Sequence, residues 1–311
     1  MRPILVTCYV NPDLDGLAGA VAYAEFLNNQ GRPVQVGILG TPHDEAKYVL
    51  GRFNLTKVKE VDNADDFNEV ILVDASDLNG LEGRIDPNKV IEIIDHRRIN
   101  EAEKFPKAKV QIELVGAAAT LVAERFMQNN VPISRESAIL IYSAIISNTL
   151  NFKGTVTTNR DEAAAKWLEQ FIQIPKDYWR ELFMAKSDLS GEKLAQRIKG
   201  DFAWFVVNDK RVGIAQLEII GAEDLIKKRR AEINLILNEL KAELNLDYIF
   251  QNTIDLEKLR NYIITDNDPT KILLEQVLDV RFEEEVAVKH QLIMRKQIIP
   301  LIKDELEKNN G

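Results

Sequence analysis

The chain has 311 residues, more than one ordinary domain holds and enough for two, and its 45% apolar and 29% charged residues allow real cores and exclude extensive disorder. Forty Lys and Arg against 49 Asp and Glu give a net charge of −9, which argues against a duplex nucleic-acid partner. One cysteine and three histidines exclude an intrachain disulfide, a cysteine-based zinc cluster and a histidine-rich metal site, so a metal here must be held mainly by carboxylates.

The apolar run at 4–6 is too short for a signal-peptide core. The longest apolar stretch, 138–146 with one Ser, is too short for a membrane span. A cytoplasmic protein with no membrane partner is expected. Residues 4–10 are β-rich, and Leu17, Val21, Ala24 and Leu27 recur at helical spacing. A strand is expected at 34–39 and a helix at 45–53. Two short continuous apolar runs follow, at 70–73 and 90–94, closing on Asp74 and on Asp95-His96. Continuous apolar strands between helices predict an α/β unit, a parallel sheet with helices on both faces. Helices are expected at about 115–129, 134–149, 159–172 and 176–187.

After Ser187-Asp188-Leu189-Ser190-Gly191 the texture changes. A hairpin at 202–207 and 212–219, a long charged helix at 222–244, strands near 247–252 and 261–265 and a closing helix after Pro300 predict a smaller mixed α/β unit. The domains are set at 1–189 and 190–311.

Three acidic turns stand where strands end: Asn11-Pro12-Asp13-Leu14-Asp15-Gly16, Asp74, and Asp95-His96-Arg97-Arg98. Ligands of an open parallel sheet sit beyond the carboxyl ends of its strands. Asp13, Asp15, Asp74, Asp95 and His96 gathered there make an oxygen-rich site with one nitrogen, suited to Mn²⁺ or Mg²⁺. Singly, each has a structural reading: Asp13 as a turn former after Pro12, Asp15 as the cap of the helix opening at Gly16, His96 as a packed core histidine. Their joint order is what points to a site. His43 reads as a loop residue at a helix start, His290 as a surface residue and Cys8 as a small core hydrophobe.

The stretches Tyr9-Val10-Asn11-Pro12-Asp13-Leu14-Asp15, Ile71-Leu72-Val73-Asp74, Asp95-His96-Arg97 and Ser143-Ala144-Ile145-Ile146-Ser147-Asn148 make the chain resemble the DHH phosphoesterase superfamily. With Ala163-Ala164-Ala165-Lys166, Asp188-Leu189-Ser190, Ile214-Ala215-Gln216 and Met294-Arg295-Lys296-Gln297, it is most similar to the family II inorganic pyrophosphatases, over essentially its whole length. The resemblance implies two divalent cations, usually Mn²⁺, held by two histidines and four aspartates. Of these, Asp13, Asp15, the bridging Asp74 and His96 are present. Tyr9 replaces the first histidine, Asn148 the last aspartate, and Arg97 the second histidine of the signature. Met294 and Arg295 stand in place of a phosphate-binding Arg-Lys pair. Ala203 falls where the family has another lysine, with Lys199 nearby.

If the chain is an enzyme of this kind, Asp74, His96 and Arg97 are the expected catalytic residues, and Arg97, Arg98, Lys153, Arg295 and Lys296 the expected phosphate-binding ones. A phenol is a poor ligand for Mn²⁺ or Mg²⁺, and an amide lacks the carboxylate's charge, so Tyr9 and Asn148 weaken the two-metal site, down to one ion. The expected activity is hydrolysis of a small phosphoanhydride or phosphoester such as pyrophosphate or short polyphosphate. The alternative is a catalytically impaired phosphate- or nucleotide-binding or regulatory protein on the same scaffold. Bacterial members of the family pair through the edge of the first sheet, so a homodimer is left open.

Overall fold

The computed structural model describes residues 3–98 and 100–308. The chain divides into two compact units, Met1–Ala185 and Lys186–Gly311.

The first unit contains β1 (Ile4–Thr7), α1 (Leu14–Asn29), β2 (Val34–Val36), β3 (Ile38–Leu39), α2 (Asp44–Arg52), β4 (Glu60–Val61), β5 (Glu69–Val73), β6 (Val90–Asp95), β7 (Lys109–Ile112), α3 (Ala118–Asn129), α4 (Arg135–Asn148), α5 (Asn159–Leu168) and α6 (Tyr178–Lys186). Five strands form one all-parallel sheet in the order β2-β1-β5-β6-β7, with Leu5 opposite Val70 and Ile94 opposite Gln111. Successive side chains alternate between faces. Val6, Ile71, Val73 and Ile94 enter a core shared with α1, α3 and α4. Leu5, Val70, Leu72 and Ile93 enter a second core with Leu81, Ile85 and Phe105. That second face is covered by irregular chain with 3-10 turns at Pro87–Lys89 and Ala102–Lys104.

The strand order reverses at β1, which leads through α1 to β2 on one side and pairs with β5 on the other. Such a switch point leaves a crevice at the carboxyl ends of the strands. α1 lies close against its floor. A Cβ on Gly19 would come within 2.5 Å of Val73 Cγ1, and one on Gly16 within 3.1 Å of the Cβ of the fully buried Cys8.

The second unit contains α7 (Lys193–Gly200), β8 (Phe202–Val207), β9 (Lys210–Ile219), α8 (Ala222–Leu244), β10 (Tyr248–Asp255), β11 (Arg260–Ile264), α9 (Asp268–Leu278), β12 (Phe282–Glu283), β13 (Val286–Lys289) and α10 (Arg295–Lys308). Its six-stranded sheet runs β12-β13-β11-β10-β9-β8 and is antiparallel except for β9 beside β10, the pair that α8 connects. Leu194, Ile198, Ile233 and Leu237 fill one face, and Leu273, Leu274, Ile298 and Ile302 the other.

Several expectations shift in detail: irregular chain covers one face of the first sheet where helices were expected, and the strand expected at 34–39 divides into β2 and β3 of different sheets. The hairpin turns on Asn208 and Asp209 alone, both at positive φ, so β9 starts at Lys210. The closing helix starts before Pro300, at Arg295, where the Gln297 side chain accepts from the Met294 N–H at 2.9 Å. No helix among the described residues is long and apolar enough to cross a membrane.

Candidate active site

The turn after β1 starts α1 with Asp13 as its N-cap, Oδ1 accepting from the N–H groups of Asp15 at 2.9 Å and Gly16 at 3.0 Å. The cap of this helix is therefore Asp13 and not Asp15. Asp15 is fully buried, and its carboxylate crosses to another helix start: Oδ2 accepts from Ala118 N–H and Oδ1 from Ala119 N–H, both at 2.8 Å. Those are among the first N–H groups of α3, which have no partner within their own helix. Asn148, the last residue of α4, donates its side-chain amide to Asp15 Oδ2 at 2.7 Å.

Asp74 follows β5 in the left-handed region, φ 57°, and its N–H donates to Ile94 O at 2.8 Å. A short polar side chain tolerates that conformation, which turns the chain sharply at the strand end. At the end of β6, Asp95 Oδ1 accepts from the N–H groups of His96 at 2.7 Å and Arg97 at 3.3 Å, and Ser76 Oγ donates to Oδ2. Asp95 thus folds the turn that presents the two following residues. His96 Nδ1 lies 3.0 Å from Val115 O; a carbonyl only accepts, so Nδ1 carries the proton. Nε2 then faces Asp74 Oδ1 at 3.5 Å and Asp15 Oδ2 at 3.6 Å. One ligand atom from each of Asp15, Asp74 and His96 lies within 4.8 Å of the other two.

The charges in this cluster are in conflict. Burial pushes the Asp15 carboxyl well above its ordinary range, and the nearby Asp74 pushes it further. Burial also raises Asp74, to about 6, against the opposing hydrogen bond to His96. Burial works against a charged His96, yet the hydrogen bond to Asp74 and the attraction of both carboxylates raise it to about 10. A divalent cation would relieve all three, and two carboxylate oxygens with one imidazole nitrogen suit Mn²⁺. The residues present fit one such ion.

Beside the cluster the residues are of another kind. The Tyr9 hydroxyl accepts from Asp13 N–H at 3.0 Å, and burial, with Asp13 and Asp74 close by, drives its ionisation far above the ordinary range. Tyr9 is a neutral phenol. The Arg97 guanidinium carbon stands 5.5 Å from the centre of the Tyr9 ring. Its Nη1 donates to Asp77 Oδ2 at 3.2 Å, its Nη2 to Asp74 O, and its Nε lies 3.5 Å from Asp95 Oδ2. Tyr9, Asp13, Asp74, Asp77, Asn79, His96, Arg97 and Asn148 line a cavity of about 360 Å³.

Other residues singled out in the sequence lie elsewhere. Arg98 is exposed on the His96 turn and does not line the cavity. The Lys153 ammonium sits 5.4 Å over the Trp179 ring, also outside the lining. In the second unit, Arg295 pairs with Asp201 Oδ1 at 2.7 Å and donates to Asp201 O at 2.8 Å, while Lys296 beside it is exposed. Lys199 is paired with Glu239 at 3.1 Å.

The sequence reading passed over Asp77, Asn79 and Glu45. The polar run directly after the Asp74 strand signals the first two. Nothing local signals Glu45, which is buried and accepts from Leu14 N–H at 3.3 Å and Ser147 Oγ at 2.6 Å. It ties the starts of α1 and α2 to the end of α4.

Comparison with known proteins completes the description. Residues 3–145 match the DHH family, N-terminal domain, and residues 180–305 the DHHA2 domain. The manganese-dependent inorganic pyrophosphatase of Bacillus subtilis is 33% identical over 310 residues, covering 98% of this chain and 99% of that protein. A probable manganese-dependent inorganic pyrophosphatase of Listeria monocytogenes is 30% identical over 317 residues, with 99% and 100% covered. The solved structure of a Methanococcus jannaschii protein assigned to the family II inorganic pyrophosphatases superposes with a TM-score of 0.70 at 28% identity, covering both chains fully. With its DHH and DHHA2 domains in this order and relatives matching end to end, the chain belongs to the family of the manganese-dependent, family II inorganic pyrophosphatases.

Proposed function

We propose that this protein hydrolyses inorganic pyrophosphate, or a short polyphosphate, with Mn²⁺ in preference to Mg²⁺ held by Asp15, Asp74 and His96. The observation that carries the reading is the convergence of those three side chains at the carboxyl ends of β1, β5 and β6. A cation bound there supplies Lewis-acid polarisation of phosphoryl oxygens and acidification of water. The chain's own part is to bind and orient. The Nδ1 hydrogen bond to Val115 keeps His96 Nε2 turned to the cluster. Arg97 offers a planar fork of donors that matches phosphate oxygens, and it stays charged at any working pH. Arg98, on the same turn, is exposed and is proposed as a further phosphate-binding residue. Arg295 and Lys296 are proposed as further phosphate-binding residues on the strength of the Met294–Gln297 stretch.

The site is weakened relative to a two-cation one. Tyr9 offers a neutral phenol whose oxygen already accepts a hydrogen bond, and Asn148 presents a donor where a ligand oxygen is wanted. The test is phosphate release from pyrophosphate and tripolyphosphate by the full chain, with and without Mn²⁺. Release is expected only with the metal, and Asp74→Asn should lower kcat about 100-fold or more, since even indirect support of a metal ligand is worth about 10–100-fold. Tight Mn²⁺ binding with neither substrate cleaved would overturn hydrolysis and leave a binding or regulatory protein on this scaffold.

A further inference from the structure

Resting on that reading, we infer that the Arg97 guanidinium, seated on the Tyr9 ring, is a built-in positive charge that replaces a second divalent cation. The chain then works with one exchangeable Mn²⁺ and one fixed guanidinium.

Three observations support this. The first is the charge around the cavity, which Asp13, Asp74 and Asp77 line together with Arg97, a cation at any working pH. His96 lies with Asp15 and Asp74 in the cluster that suits the metal. The counter-charge for the Asp13 and Asp77 side is therefore Arg97.

The second is how Arg97 is held. Asp77, the Asp74 carbonyl and Asp95 engage its nitrogens, and Nη2 also lies 4.0 Å from Asp74 Oδ1. The aromatic face of Tyr9 supports the planar cation. A guanidinium carries five N–H donors, so this set leaves donors over for phosphoryl oxygens.

The third is that the same residues repel a second ion. A dication shared by Asp13 and Asp74 would face the guanidinium beside Asp74. The Tyr9 hydroxyl at this side of the cavity already accepts from Asp13 N–H. Tyr9 and Arg97 thus work as a pair, one giving the seat and the other the charge.

The test titrates the full-length chain with Mn²⁺ alone, counts bound ions by calorimetry and reads their coupling by electron paramagnetic resonance. The wild-type chain should bind one magnetically isolated ion. Arg97→Gln, which removes the charge, should admit a second ion more than about tenfold weaker, with an exchange-coupled signal, whereas Arg97→Lys, which keeps the charge, should stay at one. Should Arg97→Gln not fold, Tyr9→His serves instead: it removes the seat and adds a nitrogen ligand, and must also admit the second ion. Two coupled ions in the wild type would overturn the inference alone. So would a folded Arg97→Gln, or in its place Tyr9→His, that stays at one ion. A wild type that binds no Mn²⁺ overturns it together with the proposed function.

Discussion

Asp15 is a buried carboxylate with three hydrogen-bond donors, two N–H groups at the start of α3 and the Asn148 amide. Helix N-termini favour negative charge, so the first two stabilise the anion that burial disfavours. The third makes Asn148 more than a ligand lost. Asn148→Asp would set a second carboxylate 2.7 Å from Asp15 Oδ2 in place of a donor. Two such groups cannot both be ionised at that distance without a cation. The metal-free variant should therefore be less stable by about 1–3 kcal/mol, the cost of losing a buried hydrogen bond. With Mn²⁺ the added anionic ligand should reverse the sign, giving a larger metal-induced rise in Tm than the wild type shows. Thermal melts with and without Mn²⁺ check both halves, and an unchanged metal-free Tm would show that the Asn148 amide does little for Asp15. Sequence alone presents this substitution as nearly isosteric, because the partners of Asp15 lie 103 to 133 residues away.

Helix α1 brings Asp15 to the sheet, and its approach depends on having no side chain at position 19. Gly19→Ala would drive a Cβ into Val73, a β-branched residue with little freedom to move. The better helix propensity of Ala, about 1 kcal/mol, offsets only part of an overpacking cost of about 1–3 kcal/mol. We expect a Tm lowered by several degrees and weaker Mn²⁺ binding, because Val73 precedes Asp74. Gly51, in α2 with open space around its Cα, is the control: Gly51→Ala should stabilise by about 0.5–1 kcal/mol. Equal melts for the two variants would refute the close approach as its cause. At this scale the sequence was readable where a pattern is local. The strands ending on Asp74 and on Asp95-His96 stand out as apolar runs, and Asn208-Asp209 marks its hairpin. It was silent where packing decides. Asp13 and Asp15 are two residues apart at one helix start, and only the position of α3 determines that one caps α1 and the other caps α3. Pro300 suggests a helix start, yet α10 begins five residues earlier, at Arg295, with the Gln297 side chain holding the Met294 N–H.

Each unit builds its cores on both faces of its own sheet, so each has the apparatus to fold by itself. Length and apolar content already call for more than one core, and the change of texture after the 187–191 stretch is where the sequence alone sets a break, at 189/190. The grouping of Asp15, Asp74 and His96 was legible because Asp74 and His96 directly follow the neighbouring strands β5 and β6, and Asp15 stands in the turn-to-helix segment after β1, beside β5 in the same parallel sheet. The setting of Arg97 was not. Its partners come from two loops, Asp77 and the Asp74 carbonyl after β5 and Tyr9 after β1, which only the folded sheet assembles, and no spacing in the chain announces a ring that supports a guanidinium.

Cys8 gives this first unit a chemical clock. Its thiol has no exposed surface, packs against the first turn of α1, and is pushed by burial, and then by Asp74, far from the thiolate that reagents attack. As the sole cysteine, it should be alkylated only in those moments when strand and helix part, which is also when Tyr9 and Asp15 leave their places. Labelling of the native chain should then fall in proportion to the metal-free fraction, by about 100-fold at free Mn²⁺ 100 times its Kd. A labelling rate indifferent to Mn²⁺ would mean that the reagent reaches the sulfur by a small local motion that leaves the metal ligands together.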